Sequence, residues 1–363
     1  MQVSAKRYPD PAEFLPIPTI RRKIEGDHLP GVYSESERDA GENMKKQAGI
    51  SPGSAAKRAS ELSADMALKI ARLLGAAEDR TTSISSLTLH QRTAPTEPCP
   101  ATYDPSVIVI AQGRKQVDLG PNTFICDPSR FLLTAVDLAI VSRVVDASEK
   151  APFIALMIKV DMPMVRELVS REEIHGAIAP SDAPAMVTAE STAEFLGACC
   201  RLLDLLDSPK DIPFLGSHIQ REIIYRILQG EEGARLRSIA TLGDQSQRTA
   251  KAIAWIKANF AKPLRVEELA RMAGMSVSTF HHHFRVLTTL SPLEYQKQLR
   301  LQAARRRMLV DGIDAASAAF AVGYESASQF NREYSRFFGQ PPMRDIRARP
   351  EPGASLLEVV VGR

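Results

Sequence analysis

The sequence has few cysteines, a single tryptophan and no long apolar run. Its four cysteines are Cys99, Cys126, Cys199 and Cys200. They are too few and too scattered for a disulfide scaffold or for a zinc site with paired-cysteine spacing. We therefore expect a reducing compartment, no metal and no bound cofactor. No stretch approaches the ~20 consecutive apolar residues that cross a bilayer, and residues 1–31 lack the apolar core of a secretory signal. These absences predict a cytoplasmic protein that does not enter a membrane.

Net positive charge is confined to the last third of the chain. Residues 248–349 contain 17 Lys and Arg against 8 Asp and Glu, a net charge of +9, whereas the rest carries −6. A basic domain beside an acidic remainder is typical of a protein that binds a polyanion such as nucleic acid. At 363 residues the chain can form two domains, each with its own core.

The first part of the chain divides into a polar extension, a helix and a strand-rich stretch. Residues 1–60 are rich in Pro, Lys, Glu, Ser and Gly, which predicts a disordered or loosely ordered extension. An amphipathic helix is expected over 65–74, at the start of a domain placed at 65–230. Short β-rich runs then alternate with Pro, Asp and Gly, which favours an all-β sandwich or barrel. We expect a turn with solvated basic side chains at Gln112–Lys115. Strands are predicted over 107–111, 123–126, 131–136, 140–145 and 153–160.

Helical spacing returns after Asp161, which we expect to cap a helix N-terminus. Two longer helices are predicted over 192–206 and 214–229. The second carries a wide apolar stripe that another surface must cover, formed by Leu215, Ile219, Ile223 and Ile227. The sequence leaves open whether this stripe packs on its own barrel or on a second subunit.

Glycine and proline mark the remaining boundaries. Several glycines and polar residues predict a linker at 231–247 between the two domains. The pattern from 248 to 349 is helical almost throughout and predicts an all-α domain. Two prolines and two glycines predict a flexible tail at 350–363.

One pattern occurs twice in the helical domain. The first copy consists of Ser276, Ser278, Phe280 and Phe284, and the second of Ser326, Ser328, Phe330 and Tyr334. A short turn with a glycine precedes each copy, at Gly274 and at Gly323. Helix, turn and second helix form the DNA-binding helix-turn-helix arrangement. The repeat therefore predicts two such units.

Each repeated helix has an aromatic face and a polar face on a wheel of about 100° per residue. The aromatic faces should be buried, and they comprise Val277, Phe280, Phe284 and Leu287 in the first helix and Ala327, Phe330, Tyr334 and Phe337 in the second. The polar faces carry Ser, His, Asn and Arg, which can read base edges in a major groove. We predict base contacts from Ser278, His281, His282, Arg285, Ser328, Asn331, Arg332 and Ser335.

The run His281–His283 does not predict a metal site. Consecutive helical side chains point about 100° apart, whereas two ligands on one helix need a spacing of three or four residues.

A continuous helix is expected between the repeats, over 292–308. Its length of about 25 Å suits two reading helices held about one DNA turn, ~34 Å, apart. We predict that three of its arginines, Arg300, Arg305 and Arg306, contact phosphates, which would position the protein without reading sequence. A solvated helix face is the alternative for each of them.

These residues resemble the AraC/XylS-type bacterial transcription regulators. The likeness runs through Leu269-Ala270, Gly274–Ser276, Phe284, Pro292, Leu299–Leu301, Ala303–Arg305, Val322–Tyr324, Phe330, Phe338-Gly339 and Pro342. The upstream part resembles the N-terminal domain of one subgroup, through Val107–Val109, Gln112–Lys115, Leu132-Leu133 and Arg221–Tyr225. The resemblance implies a cupin-like barrel followed by helices, used for effector sensing or dimerisation. It also implies two helix-turn-helix units joined by a long helix.

Residues and resemblance together predict an α+β chain, with an N-terminal cupin-like β-barrel and an all-α DNA-binding domain. We expect a sequence-specific regulator that binds double-stranded promoter or operator DNA under the control of a small-molecule effector. RNA polymerase is a further expected partner, and the chain should act as a monomer or homodimer. Because the polar faces differ, the two half-sites should differ in base preference.

Two other classes of function compete with this one. The first is a cupin-type enzyme with an accessory DNA-binding module, and the sequence offers it neither a metal cluster nor a nucleophile motif. We therefore expect no enzymatic activity. The second is a regulator that senses redox state through its thiols.

Overall fold

The computed structural model describes residues 52–347, except for 172–173, 175–178, 180–182 and 231. The predicted tail at 350–363 and residues 1–51 of the predicted extension lie outside the described residues. Within the described part, no helix is both long and apolar enough to span a bilayer.

Helix α1, Pro52–Leu74, opens the described chain. The prediction of a disordered extension was therefore wrong for residues 52–60, and the helix begins well before residue 65. Its N-terminal half is rich in Ala, Lys, Arg and Glu, which are good helix formers but also common in disordered segments. The C-terminal half buries Met66, Ile70 and Leu74 against the barrel and helix α3 (Ala193–Asp204). This packing explains why the segment is helical, because helical stability in proteins comes mostly from a buried face.

Ten antiparallel strands among the described residues form two sheets. The strands are β1 (Asp79–Thr81), β2 (Leu87–Arg92), β3 (Cys99–Tyr103), β4 (Ser106–Gln112), β5 (Arg114–Leu119), β6 (Asn122–Cys126), β7 (Arg130–Thr134), β8 (Leu138–Asp146), β9 (Phe153–Lys159) and β10 (Met186–Glu190). The order is β1-β2-β9-β4-β7-β10 in one sheet and β3-β8-β5-β6 in the other. The five predicted strands are confirmed, each within two residues at both ends. The other five, β1, β2, β3, β5 and β10, were not predicted because polar residues interrupt their apolar pattern.

The predicted turn at Gln112–Lys115 is present, but not all of its basic side chains are solvated. Gly113 has φ +81° where the chain passes from the first sheet to the second. An added Cβ there would lie 2.5 Å from the carbonyl oxygen of Asp146. Lys115 belongs to β5 and is 3% exposed, because its side chain points toward the Tyr103 ring rather than into solvent.

Three helices after β9 cover the barrel domain. They are α2 (Met162–Val169), α3, which a 3₁₀ turn at Leu205–Asp207 extends, and α4 (Ile212–Gln229). Asp161 caps α2 as predicted, since its side chain accepts a hydrogen bond from the Met164 backbone N–H at 3.4 Å. The apolar stripe of α4 packs on its own domain through Ile223 and Ile227, whereas Leu215 is 41% exposed.

The segment predicted as a linker is an ordered helix, α5 (Gly233–Ala240). Its Leu236 and Ile239 are buried, and Arg235 donates hydrogen bonds to the Pro184 carbonyl and the Ser246 hydroxyl. The glycine signal had another cause, since a Cβ at Gly233 would lie 2.3 Å from the Ile227 carbonyl oxygen. Glycine here permits close packing rather than flexibility.

Seven helices complete the chain as it is described. They are α6 (Gln245–Ala258), α7 (Val266–Met272), α8 (Val277–Thr288), α9 (Pro292–Val310), α10 (Ala315–Ala321), α11 (Ala327–Phe338) and α12 (Pro342–Arg347). The α7–α8 pair shares one continuous apolar core with the barrel, while α10 and α11 share a second core with the C-terminal half of α9. Phe260 packs against both cores.

Candidate nucleic-acid interface

Both predicted helix-turn-helix units are formed, by α7–α8 and by α10–α11. Gly274 and Gly323 lie in the turns with φ of +62° and +90°, a region that side-chain-bearing residues rarely adopt. The residue after each glycine donates the same closing hydrogen bond, from Met275 N to Ala270 O at 2.9 Å and from Tyr324 N to Ala319 O at 3.0 Å. The two units therefore share one turn geometry, although the second turn is one residue longer.

The first serine of each repeat caps its helix. Ser276 Oγ accepts a hydrogen bond from Thr279 N at 3.1 Å, and Ser326 Oγ accepts one from Gln329 N at 3.3 Å. A cap of this kind satisfies one of the backbone donors that a helix N-terminus leaves free. The repeated pattern thus contains a structural serine followed two positions later by an exposed one.

Of the eight residues on the predicted aromatic faces, five are buried, Ala327 and Phe337 are half-buried, and Val277 is exposed. Phe280 and Phe284 are fully buried with ring centroids 5.6 Å apart, and Phe330 and Tyr334 repeat this arrangement at 5.4 Å. Val277 was expected to be buried but is 40% exposed. A helical wheel gives the direction of a side chain, not whether a neighbouring element covers that turn.

The predicted base-contacting residues lie on the outer surfaces of α8 and α11. Six are exposed, namely Ser278, His282, Arg285, Ser328, Asn331 and Arg332, and two are half-buried, namely His281 and Ser335. The Ser335 hydroxyl donates to the Asn331 carbonyl at 2.8 Å, which leaves its oxygen free to accept. Their contact with bases stays a prediction.

His283 differs from its two neighbours. It is 8% exposed, and burial, assisted by the nearby His282, lowers its pKa. Its ring packs edge-on against that of His282 with centroids 5.3 Å apart. Across the described ranges, no group of three His, Cys, Asp or Glu side chains is placed to hold a metal ion.

The structure places Arg305 in a buried ion pair rather than on the surface, contrary to what the predicted phosphate contact requires. Its side chain is 6% exposed, and its Nε and Nη2 donate to the two Asp345 carboxylate oxygens at 2.7 and 3.2 Å. The guanidinium also lies 4.6 Å from the Phe338 ring centroid. Tyr334 donates a further hydrogen bond to Asp345 at 2.7 Å. Burial favours a raised pKa for Asp345, but these hydrogen bonds outweigh it and lower the pKa.

Arg300 is also committed to the protein rather than to DNA. Nε donates to Phe260 O at 2.7 Å, Nη2 to Lys262 O at 3.0 Å and to Ala261 O at 3.3 Å, and Nη1 to Gly323 O at 2.9 Å. These contacts do not favour the predicted phosphate contact, and the helical pattern does not reveal which backbone carbonyls lie nearby. Arg306 is half-buried, and its phosphate contact stays a prediction.

A seam of polar contacts joins the helical domain to the barrel. Lys257 on α6 forms ion pairs with Asp104 and Asp137, the second at 2.6 Å. On α9, Tyr295 donates to the Asp137 carbonyl at 3.0 Å, and Gln302 donates to the Ala101 carbonyl at 3.3 Å. These contacts could not be predicted from the sequence, because the two aspartates are indistinguishable from ordinary loop residues.

The two domains also meet at the end of the first recognition helix. Thr289 adopts φ +63° directly after α8, at the position that corresponds to Gly339 with φ +80° after α11. The β5–β6 turn approaches it so closely that a Cβ at Gly120 would lie 2.5 Å from Thr289 Oγ1. The reading helix α8 is therefore in direct contact with the barrel.

Two family models match the chain. One is described as the AraC-type transcriptional regulator N-terminus and matches residues 83–235, and the other, a helix-turn-helix domain, matches residues 269–348. The first range runs from before β2 to the start of α5, and the second runs from within α7 past α12.

Curated relatives match part of their own length. The HTH-type transcriptional regulator ArgR of Pseudomonas aeruginosa is 26% identical over 148 residues, which are 41% of this chain and 45% of ArgR. The HTH-type transcriptional activator RhaS of Yersinia pestis is 26% identical over 106 residues, which are 29% of this chain and 38% of RhaS. The chain thus spans less than half the length of these two relatives.

Among solved structures, apo ToxT from Vibrio cholerae aligns with a TM-score of 0.48 at 9% identity, covering 72% of this chain and 97% of ToxT. The two family matches fall on the barrel domain and on the double helix-turn-helix domain, in the order in which the chain carries them. The chain belongs to the AraC/XylS-type transcription regulators.

Proposed function

We propose that this protein is a sequence-specific DNA-binding transcription regulator whose helices α8 and α11 enter adjacent major grooves. The observation that carries the proposal is the repeated helix itself. Each copy is capped by a serine and fixed by buried aromatics, and each presents Ser, His, Asn or Arg outward. An outer face of this composition can donate to purine edges and meets no repulsion from phosphates.

In vitro selection with the full chain tests this function. We expect an enriched double-stranded sequence with two non-identical half-sites, and a footprint of that sequence upstream of genes near the protein's own. Recovery of no preferred sequence, together with equal affinity for random duplexes, would contradict it. RNA polymerase contact and the choice between monomer and homodimer remain predictions beyond this test.

We propose in addition that the barrel domain binds a small anionic effector at Lys115. The Lys115 side chain is 3% exposed, its ammonium lies 5.5 Å from the Tyr103 ring centroid, and it forms no ion pair with a carboxylate among the described residues. Its cross-strand neighbour Cys126 provides no charge, since burial raises the pKa of that thiol to about 12. The hydroxyl of Tyr103 is also buried without a partner in the described chain. Burial of an unneutralised charge is costly, so a bound anion would stabilise this site.

Two strands, β3 and β5, connect the site at Lys115 to the helical domain. Tyr103 precedes Asp104, which pairs with Lys257 on α6, and β5 runs from Lys115 toward the turn at Gly120 that contacts Thr289. A ligand that displaces β3 or β5 would therefore act on both contacts with the helical domain.

Thermal unfolding of the full chain with paired probes tests this effector class. Octanoate and benzoate should raise the Tm of the wild type, while octan-1-ol and benzyl alcohol should not. The Tm of the Lys115→Met variant should change with neither the carboxylates nor the alcohols. Equal carboxylate shifts in both proteins would contradict an anion site at Lys115.

The buried thiols favour an effector over redox sensing. Burial raises the pKa of Cys200 to about 11 and also raises that of Cys199. Thiols held protonated react slowly with peroxide, because the thiolate is the nucleophile. We expect DNA affinity to survive peroxide treatment. The curated relatives carry names of transcription regulators, and we propose no catalytic step for this chain.

A further inference from the structure

Arg300 joins the two helix-turn-helix units through backbone atoms. Three of its acceptors, the carbonyls of Phe260, Ala261 and Lys262, belong to the segment between α6 and α7. The fourth, the carbonyl of Gly323, belongs to the turn between α10 and α11. One side chain at the middle of α9 therefore holds the segment before the first unit with three hydrogen bonds and the second unit with one.

The two units touch at the same place. A Cβ on Gly323 would lie 2.0 Å from the Ala261 carbonyl oxygen, so the second turn packs directly on the segment that precedes the first unit. Gln296, one helical turn before Arg300, donates to the carbonyls of Phe260 and Lys262 at 2.9 and 2.7 Å. The Arg300 guanidinium also lies 5.9 Å from the Tyr324 ring centroid.

We call the contacts of Arg300 with Phe260, Ala261, Lys262 and Gly323 the clamp. The clamp depends on the shape of the guanidinium. Its planar fork offers five N–H donors in fixed directions, and here they reach four carbonyls on two separate segments. A lysine ammonium is a single compact donor group and cannot span the same set. A DNA phosphate, by contrast, would accept a lysine at this position almost as readily as an arginine.

We propose that Arg300 is a positioning residue that fixes the orientation of α11 relative to α8, and so sets the half-site spacing that the protein accepts. Helix α9 alone fixes the distance between the units. The second unit packs on the C-terminal half of α9 through its own small core. The Arg300 contacts add a direct link between the turn of the second unit and the segment that precedes the first unit. This inference rests on the proposed function.

The test uses the full chain and the duplex enriched by in vitro selection with the wild type, in three forms. One form is unchanged, one has a base pair inserted between the half-sites and one has a base pair removed. Each step rotates one half-site by about 35° and moves it by ~3.4 Å. We expect the wild type to lose affinity at least tenfold on the altered duplexes. Arg300→Met and Arg300→Lys should bind all three forms within about threefold of one another.

Three controls separate the clamp from other roles. Arg307→Met removes an exposed charge from the same helix and should keep the tenfold spacing preference. The slope of log affinity against log salt should be the same in Arg300→Met as in the wild type, whereas loss of a phosphate contact lowers it by about 0.9. If Arg300→Met does not fold, Arg300→Lys and Gly323→Ala carry the test, because the added Cβ displaces the same turn.

A full tenfold spacing preference in the Arg300 variants would overturn the clamp and leave the proposed function intact. A lowered salt slope in Arg300→Met that Arg300→Lys restores would also overturn it, in favour of a phosphate contact. Selection that enriches no duplex would overturn the proposed function itself, and the clamp with it.

Discussion

The ammonium of Lys257 lies 2.6 Å from the carboxylate of Asp137, and this ion pair joins helix α6 to the barrel. Asp104 is a second partner of the same ammonium. All three side chains are less than a fifth exposed. Burial opposes the charge on Lys257, but the two carboxylates outweigh it and raise its pKa. The polar seam between the domains is therefore built around one cation with two anions.

Lys257→Met should destabilise the folded chain by about 3 kcal/mol, because it leaves the partly buried carboxylate of Asp137 without its cation and that of Asp104 with only Lys159, 3.8 Å away. Since the folded pKa of Lys257 is raised, its contribution is fully present below the ordinary lysine pKa of about 10.4. It should be lost as pH rises further. Urea unfolding from pH 7 to 11 measures this, with Lys251→Met, an exposed residue of the same helix, as control. Equal stability of the two variants at pH 7 would contradict a stabilising role for the Lys257 ion pairs.

Asp345→Asn should destabilise the second helix-turn-helix unit by about 3 kcal/mol, because Arg305 is left buried without its anion. The pKa of Asp345 is lowered in the folded chain. Its contribution is therefore present above the ordinary aspartate pKa of about 3.9 and should be lost as pH falls through the lower folded value. Urea unfolding at pH 7 and at pH 3 checks the sign. Asp311→Asn, at an exposed position, should show little change, and a similar loss in both variants would refute the assignment.

The two serines of one repeat should separate stability from recognition. Ser276→Ala removes the cap of α8 and should lower the free energy of unfolding by about 1 kcal/mol. Ser278→Ala removes an exposed hydroxyl, so it should leave stability within about 0.5 kcal/mol and change base preference instead. Thermal unfolding and binding to the selected duplex measure the two effects. The pair Ser326→Ala and Ser328→Ala repeats the comparison in α11. The assignment would be refuted if, in both copies, the first serine affected base preference and the second affected stability.

The contact between Gly120 and Thr289 can be tested by a double-mutant cycle. Gly120→Ala should destabilise the wild type, since the new Cβ collides with the Thr289 side chain. The cost should be smaller in the Thr289→Gly background, where only the strain at φ +57° of position 120 remains. Equal costs in both backgrounds would show that the barrel does not press on the end of α8.

The features predicted correctly from the sequence are those that depend on local spacing. The aromatic and polar faces of α8 and α11 follow from the helical period, and the cap at Asp161 follows from residue type and position. The strands that were predicted are apolar runs such as the one at 153–160. The strands that were missed, such as β3 with Pro100, carry polar residues on one face or at a sheet edge.

The errors arise where a residue is used by a distant segment. Arg305 and Asp345 are 40 positions apart, and Arg300 binds carbonyls 23 to 40 positions away. Neither pairing leaves a trace in composition or period, so both arginines resembled a solvated basic face. The glycines in and around α5 similarly indicated a linker, whereas Gly233 permits a close backbone contact.

The central claim is that two different polar faces read two different half-sites. The most direct measurement is the affinity of full-length variants for the selected duplex and for duplexes with single base changes in either half-site. Ser278→Ala with His281→Ala should erase discrimination, about 1 to 3 kcal/mol per contact, in one half-site only. Asn331→Ala with Arg332→Ala should erase it in the other. Uniform loss on all duplexes, random DNA included, would contradict the claim.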